Sequence, residues 1–123
     1  MSKISESELE VMKAIWRRGK MTLSEIVEEV SKSNAWSKST IKTLIYRLVD
    51  KDILNVDKSQ DAFKYSTKIS EDDYKISENQ NFLQRLYNGS INDMLLAYTK
   101  SHNLTKKEIK ELLNLIDSEE NND

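Results

Sequence analysis

The sequence predicts a mainly α fold with one small β-hairpin, and three observations carry that prediction. Three apolar stripes of helical period, each opened by a capping signal or a polar start, fill residues 5–50. The apolar period then drops from 3.6 to 2 between Leu54 and Tyr65, and three further helical stripes occupy residues 70–116. This pattern divides the chain into 1–69, helices plus hairpin, and 70–123, helices alone.

The first helix begins at Ser5, where Glu8 three residues on completes a capping box: the hydroxyl accepts from the N3 amide and the carboxylate reaches back to the cap amide. It carries Leu9, Val11, Met12, Ile15 and Trp16, and Gly19 is placed to end it. Thr22 and Glu25 repeat the box for the second helix, whose stripe is Leu23, Ile26, Val27 and Val30. The third runs from Ser37 to Asp50 with Ile41, Leu44, Ile45 and Leu48 at i, i+3, i+4, i+7. At 100° per residue its opposite face is Ser39, Thr43 and Tyr46, flanked by Thr40, Lys42 and Arg47, with Lys38 at its start. No carboxylate appears before Asp50. An ordinary surface helix mixes in Glu, whereas a hydrogen-bonding and cationic face suits a major groove, where base edges offer acceptors and phosphates line the walls.

After this helix Leu54, Val56 and Lys58 alternate with Asn55 and Asp57, Ser59-Gln60-Asp61 supplies turn chemistry, and Phe63 and Tyr65 alternate with Lys64 and Ser66. Two strands alone are marginal, so the apolar face of this hairpin must pack on the helices. Three helices and such a hairpin make a winged helix-turn-helix, with the third helix as the reading helix. The DNA-contacting candidates are Lys38, Ser39, Thr40, Lys42, Thr43, Tyr46 and Arg47 on that helix, and Lys58 and Lys64 on the hairpin. Lys68 shares the hairpin; any of these lysines taken singly fits a solvated surface as well as a phosphate.

In the second part, Thr105 and Glu108 form a capping box, while Ser70 with Asp73 and Ser90 with Asp93 are looser versions. The stripes are Ile76, Phe82, Leu83, Leu86 and Tyr87; then Ile91, Met94, Leu95 and Tyr98; then Ile109, Leu112, Leu113 and Ile116. Three amphipathic helices after an already complete small domain need a surface to cover them. A second copy of the chain is the expected one, making Phe82, Leu83 and Leu86 of the first stripe and every residue of the other two stripes the dimerisation candidates. Folding back on the winged helix of the same chain is the alternative. Residues 118–123 are acidic and expected to fray.

Composition removes other function classes. The chain has 123 residues, 37% hydrophobic and 33% charged, and no cysteine. Disulfides, thiolate chemistry and cysteine-ligated zinc are excluded. His102, beside Asn103 in an expected loop, is the single histidine, and no Gly-rich phosphate loop is present, so neither a metal, a cofactor nor an enzyme activity is expected. The start lacks the apolar core of a signal peptide and no apolar run approaches a membrane span, which predicts a cytoplasmic protein. The net charge of −2 is unevenly spread: residues 1–68 carry 13 Lys and Arg against 10 Asp and Glu, and residues 69–123 carry 6 against 11. A basic reading head on an acidic body is a common division in nucleic-acid-binding proteins.

Trp36-Ser37, the run Thr40-Ile41-x-Thr43-Leu44-Ile45-x-Arg47-Leu48, the hairpin end Phe63-x-Tyr65, then Asn81-Phe82, Tyr87-x-Gly89 and Leu104-Thr105-x-x-Glu108-Ile109-x-Glu111-Leu112 resemble the penicillinase-repressor (BlaI/MecI) family from Ile4 to Ile116. The resemblance implies a dimeric winged-helix repressor of β-lactamase and related resistance genes, bound to an inverted repeat of double-stranded operator DNA. It implies release when a membrane-bound sensor protease system leads to a cut in the second dimerisation helix. In the family that bond is Asn-Phe; here it falls on Ala97-Tyr98, and with Ala in place of Asn a protease of different preference, a cut elsewhere and a non-proteolytic release all stay open. Other departures are Lys38 where the family usually has Pro, Ser39 for a basic residue, Lys42 for Arg and Asp52 for Gly. Lys42 keeps charge but lacks the bidentate fork that suits guanine. The Cys-x-Cys pairs of copper-responsive relatives are absent, which excludes copper sensing by that route. A second function class stays open from the residues alone: winged helices also dock polypeptides, and such an interface would be less salt-sensitive than one built on phosphates.

Overall fold

The computed structural model describes residues 3–102 and 105–121. The chain runs α1 (Glu6–Arg18), β1 (Met21–Thr22), α2 (Leu23–Ser31), α3 (Lys38–Asp50), β2 (Leu54–Asp57), β3 (Lys64–Thr67), α4 (Glu71–Tyr87), α5 (Ile91–His102) and α6 (Lys106–Asn121). It forms two compact units, Met1–Ile76 and Ser77–Asp123, and the division falls inside α4.

Helix starts follow the capping chemistry. Ser5 Oγ accepts from the Glu8 amide at 3.1 Å while the Ser5 amide donates to Glu8 Oε1 at 2.8 Å. Thr22 and Glu25 repeat the exchange at 3.3 and 3.0 Å. Gly19 ends α1 at φ 85°, its amide bonded to the Ile15 carbonyl. At α3 the cap is one-sided: Ser37 Oγ accepts from the Thr40 amide at 3.1 Å, and the third position holds a hydroxyl where α1, α2 and α6 hold Glu. That choice keeps a carboxylate off the reading face.

The apolar stripes meet in one core. Val11, Met12 and Ile15 of α1, Ile26, Val27 and Val30 of α2, and Ile41, Leu44, Ile45 and Leu48 of α3 are all buried, with Met21, Ile53, Leu54 and Tyr65 closing the sheet side. The hairpin packs on the helices as expected, but the sheet has three strands in the antiparallel order β1-β3-β2. The extra strand pairs Met21 with Tyr65 and Thr22 with Lys64. At two residues it is too short for an alternation to show. Phe63 is a second departure. Alternation placed it on the packed face with Tyr65, yet it lies ahead of β3 and stays exposed.

Contacts at Asp52 and at Trp16 fix the segments that follow α3 and β3 within this unit. Asp52 takes φ 63°, and its amide bonds the Val49 carbonyl while the Ile53 amide bonds the Leu48 carbonyl, a Schellman ending whose left-handed position is normally glycine's. Lys68 pairs with the Asp52 carboxylate, so this hairpin lysine is engaged at the end of α3. The half-buried Trp16 donates its indole N–H to the Ile69 carbonyl at 3.0 Å and stacks at a tilt on Tyr74, 5.5 Å between centroids. The first turn of α4 thereby belongs with the winged helix.

In the second unit Ser90 caps α5 through the Asp93 amide at 3.2 Å, and Thr105 exchanges bonds with Glu108 at the start of α6. His102, expected in a loop, is the last residue of α5; Asn103 lies outside the described residues. Among the described residues from 77 onward none is buried. Phe82, Leu86, Ile91, Leu95, Tyr98, Ile109, Leu112, Leu113 and Ile116 stand exposed, joined by Leu96 and Leu115, while Leu83 and Met94 are half-covered. No helix among the described residues is long and apolar enough to cross a membrane.

Candidate nucleic-acid interface

Burying Ile41, Leu44, Ile45 and Leu48 forces the other face of α3 outward. Lys38, Ser39, Thr40, Thr43, Tyr46 and Arg47 are exposed and Lys42 is half-buried. Two of the hydroxyls are partly committed: Thr43 donates to the Ser39 carbonyl at 3.0 Å, and the Thr40 and Ser37 hydroxyls share a bond of 2.9 Å. Thr43 therefore offers a ligand an acceptor and a methyl group, with its proton already engaged.

Charge pairing sorts the cations of this unit. Glu29 gathers Arg17, Arg18 and Lys32 at 3.1, 2.9 and 3.1 Å; Lys32 and then Arg18 hold its carboxyl down at about 2 against the burial that would raise it. Lys20 meets Asp57 at 2.5 Å and Lys51 meets Glu8 at 2.6 Å. Lys13, Lys68 and Lys75 also have carboxylate partners. Among the described residues of the unit, the cations outside any salt bridge are Lys38, Lys42, Arg47, Lys58, Lys64 and Lys3. The first five are the five cations that the sequence assigns to the reading helix and wing.

Two grooves bring further residues to this face. One, between α2 and α3, is lined by Leu23, Ser24, Val27, Glu28, Lys38 and Lys42. The other lies between the start of α2, the middle of α3 and the wing, with Ser24, Tyr46, Asp61 and Phe63 among its walls. The Lys58 ammonium sits 5.6 Å from the Phe63 ring centroid. Lys64 is half-buried in β3 opposite Thr22 and Asp57, and Lys20, then Ser59, hold the Asp57 carboxyl well below its ordinary range. Burial, with Tyr46 beside it, pushes the Tyr65 phenol up. Sequence reasoning missed Ser24, Glu28 and Phe63. For the first two no signal existed, because α2 contributes them only through its crossing with α3.

Among the described residues no group of His, Cys, Asp or Glu could hold a metal ion. The winged-helix part is similar to two solved structures. The DNA-binding domain of the repressor BlaI is 43% identical with a TM-score of 0.52, covering 60% of this chain and 94% of that one. The monomeric form of Bacillus licheniformis BlaI in complex with the blaP half-operator is 42% identical with a TM-score of 0.53, covering 59% and 89%. Over nearly the whole chain the protein is similar to the penicillinase repressor of Bacillus licheniformis, 39% identical over 118 residues, 96% of this chain and 92% of the relative. It is 34% identical over 113 residues, 92% of each chain, to the methicillin resistance regulatory protein MecI of Staphylococcus aureus strain N315. A family model described as Penicillinase repressor matches residues 4–118, and on that span the chain belongs to the penicillinase repressor family.

Proposed function

We propose that this protein is a DNA-binding repressor of β-lactam-resistance genes that works as a homodimer on an inverted-repeat operator. The observation that carries the reading is the set of five cations, Lys38, Lys42, Arg47, Lys58 and Lys64, outside any salt bridge among the described residues and gathered on the helix and wing, while nearly every other cation of the unit has a carboxylate partner. Unpaired cations on one face are what phosphates require. A relative 42% identical over this part is described bound to a half-operator, which supports the same use of the face here. Thr40, Lys42, Thr43, Tyr46 and Arg47, with Lys38 and Ser39 at the helix start, would lie in or along the major groove. Replacing Lys42 and Arg47 together by Ala is expected to abolish operator retention in a gel shift with circular dichroism unchanged; undiminished retention sinks the reading. Affinity that ignores salt would instead indicate a polypeptide partner.

The homodimer is supported by the second unit's lack of any buried described residue beside so many exposed apolar ones. A single winged helix touches few base pairs, so a two-fold pair reading half-sites about one helical turn apart reaches useful affinity. Release would follow a cut at Ala97-Tyr98 by a membrane-bound sensor protease. Both residues are exposed, and the bond lies within α5, so cutting there divides the apolar stripe from α6. Mass spectrometry of the repressor from β-lactam-treated cells checks this; an intact chain during full derepression rules it out.

A further inference from the structure

Where the wing meets the reading helix, two aromatic rings stay in water: Phe63 is 44% exposed and Tyr46 48%, although Tyr65 two residues on is buried. They line one open groove of about 320 Å³ with Thr22, Ser24 and the exposed Asp61. Lys58 and Lys64 lie on the same hairpin, Lys58 directly over the Phe63 ring. This distribution does not favour a phosphate in the groove itself, because Asp61 would repel it and the Phe63 ring offers it no donor. It suits phosphates at the lysines and an apolar part of the same duplex against the rings. The groove is continuous with the reading face because Tyr46 belongs to both.

Resting on the DNA-binding reading above, we infer that Phe63 is a DNA-contacting residue that takes an apolar edge of the operator duplex, a thymine methyl group or a deoxyribose face, beside Tyr46. Both sources present C–H groups to an aromatic ring, and of the two only the methyl group distinguishes thymine from cytosine. Lys58 holds the ring from above and reaches a phosphate on its own account.

The test uses the full chain and a duplex that the wild-type protein selects from a random-sequence library. Phe63→Ala is expected to weaken binding about tenfold with the salt slope unchanged, whereas Lys58→Ala lowers the slope by about one. Phe63→Leu, which keeps apolar contact, should bind near the wild-type level and shows that the wing still folds. Duplexes carrying deoxyuridine for thymidine separate the two sources: an effect of Phe63→Ala that vanishes on them assigns the methyl group, and one that persists assigns the sugar. Wild-type affinity for Phe63→Ala, or a loss accompanied by a drop of about one in salt slope, overturns the inference, since the ring would then act only through Lys58. Failure of the wild type to select any duplex would overturn the DNA reading itself.

Discussion

At Asp52 a carboxylate residue occupies the left-handed end of α3, where the family usually has glycine. An L side chain in that region costs about 1 kcal/mol, less for Asp than for most, and Asp also places negative charge at the negative end of a helix dipole. Against this stands one exposed ion pair with Lys68. Asp52→Gly should therefore match or exceed the wild type in stability by up to about 1 kcal/mol, while Asp52→Val should lose about 2 kcal/mol by urea unfolding. A tolerated Val would mean that α3 ends differently in solution. Glu8 is the second telling residue, 1% exposed, with Oε2 unpartnered and Oε1 receiving both the Ser5 amide and Lys51. Burial pushes its carboxyl up, but the hydrogen bonds from Lys51 and Ser5 outweigh this and leave it below the ordinary range. Lys51 also donates to the Lys3 carbonyl at 2.8 Å, so one ammonium ties the end of α3 to the start of α1. Lys51→Met, which strands a buried charge, should cost about 3 kcal/mol, and Glu8→Leu added to it should cost less than the two changes summed.

At the scale of elements, α2 is held to the end of α1 by Glu29, which pairs with Arg17 and Arg18 of α1 and also with Lys32 at the end of its own helix. Its carboxyl is lowered from its ordinary 4.5 to about 2. A group depressed by folding contributes stability above its unfolded value and loses it as pH falls through the folded one. Glu25, lowered chiefly by its bonds to Thr22, and Asp57, lowered chiefly by Lys20, act in the same direction. Acid unfolding should therefore set in below pH 4.5 and run towards pH 2, and Glu29→Gln should be less stable at pH 7 with a shallower loss over that window, as followed by circular dichroism. A stability independent of pH there would deny the clustering. At the start of α3, with Thr40 where α1, α2 and α6 place Glu, the cap is one-sided and the reading face stays free of negative charge.

For the whole molecule, the two units differ in what they can do alone. The first has a core, and Trp16 ties it to Ile69 and Tyr74. A chain ending at Ile76 should fold as a monomer with weak operator binding, and one ending at Lys68 should melt several degrees lower because the indole N–H loses its carbonyl and its ring partner. The second unit has apolar stripes and no buried described residue, so its helices need a partner surface. Leu112→Asp with Leu113→Asp should convert the full chain to a monomer in sedimentation at micromolar concentration, with operator affinity falling to that of the 1–76 chain. A monomeric wild type would contradict the homodimer.

Legible along the chain is whatever depends on neighbours one turn away. Capping boxes at Ser5, Thr22 and Thr105, the stripe from Ile41 to Leu48, and the outward polar face of α3 all follow from i, i+3 and i+4 relations that any reader of the chain can count. The strand Met21–Thr22, the exposure of Phe63, the entry of Ser24 and Glu28 into the grooves and the attachment of the first turn of α4 to Trp16 depend on residues far apart in the chain. The same holds for charge. The sequence shows which side chains are cationic, but only the packing of α1, α2, α3 and the hairpin decides that Glu29, Asp57, Glu8 and Asp52 each engage cations elsewhere and leave those of the reading face outside any salt bridge among the described residues. Ion pairing is set by distance in space, which local periodicity does not encode.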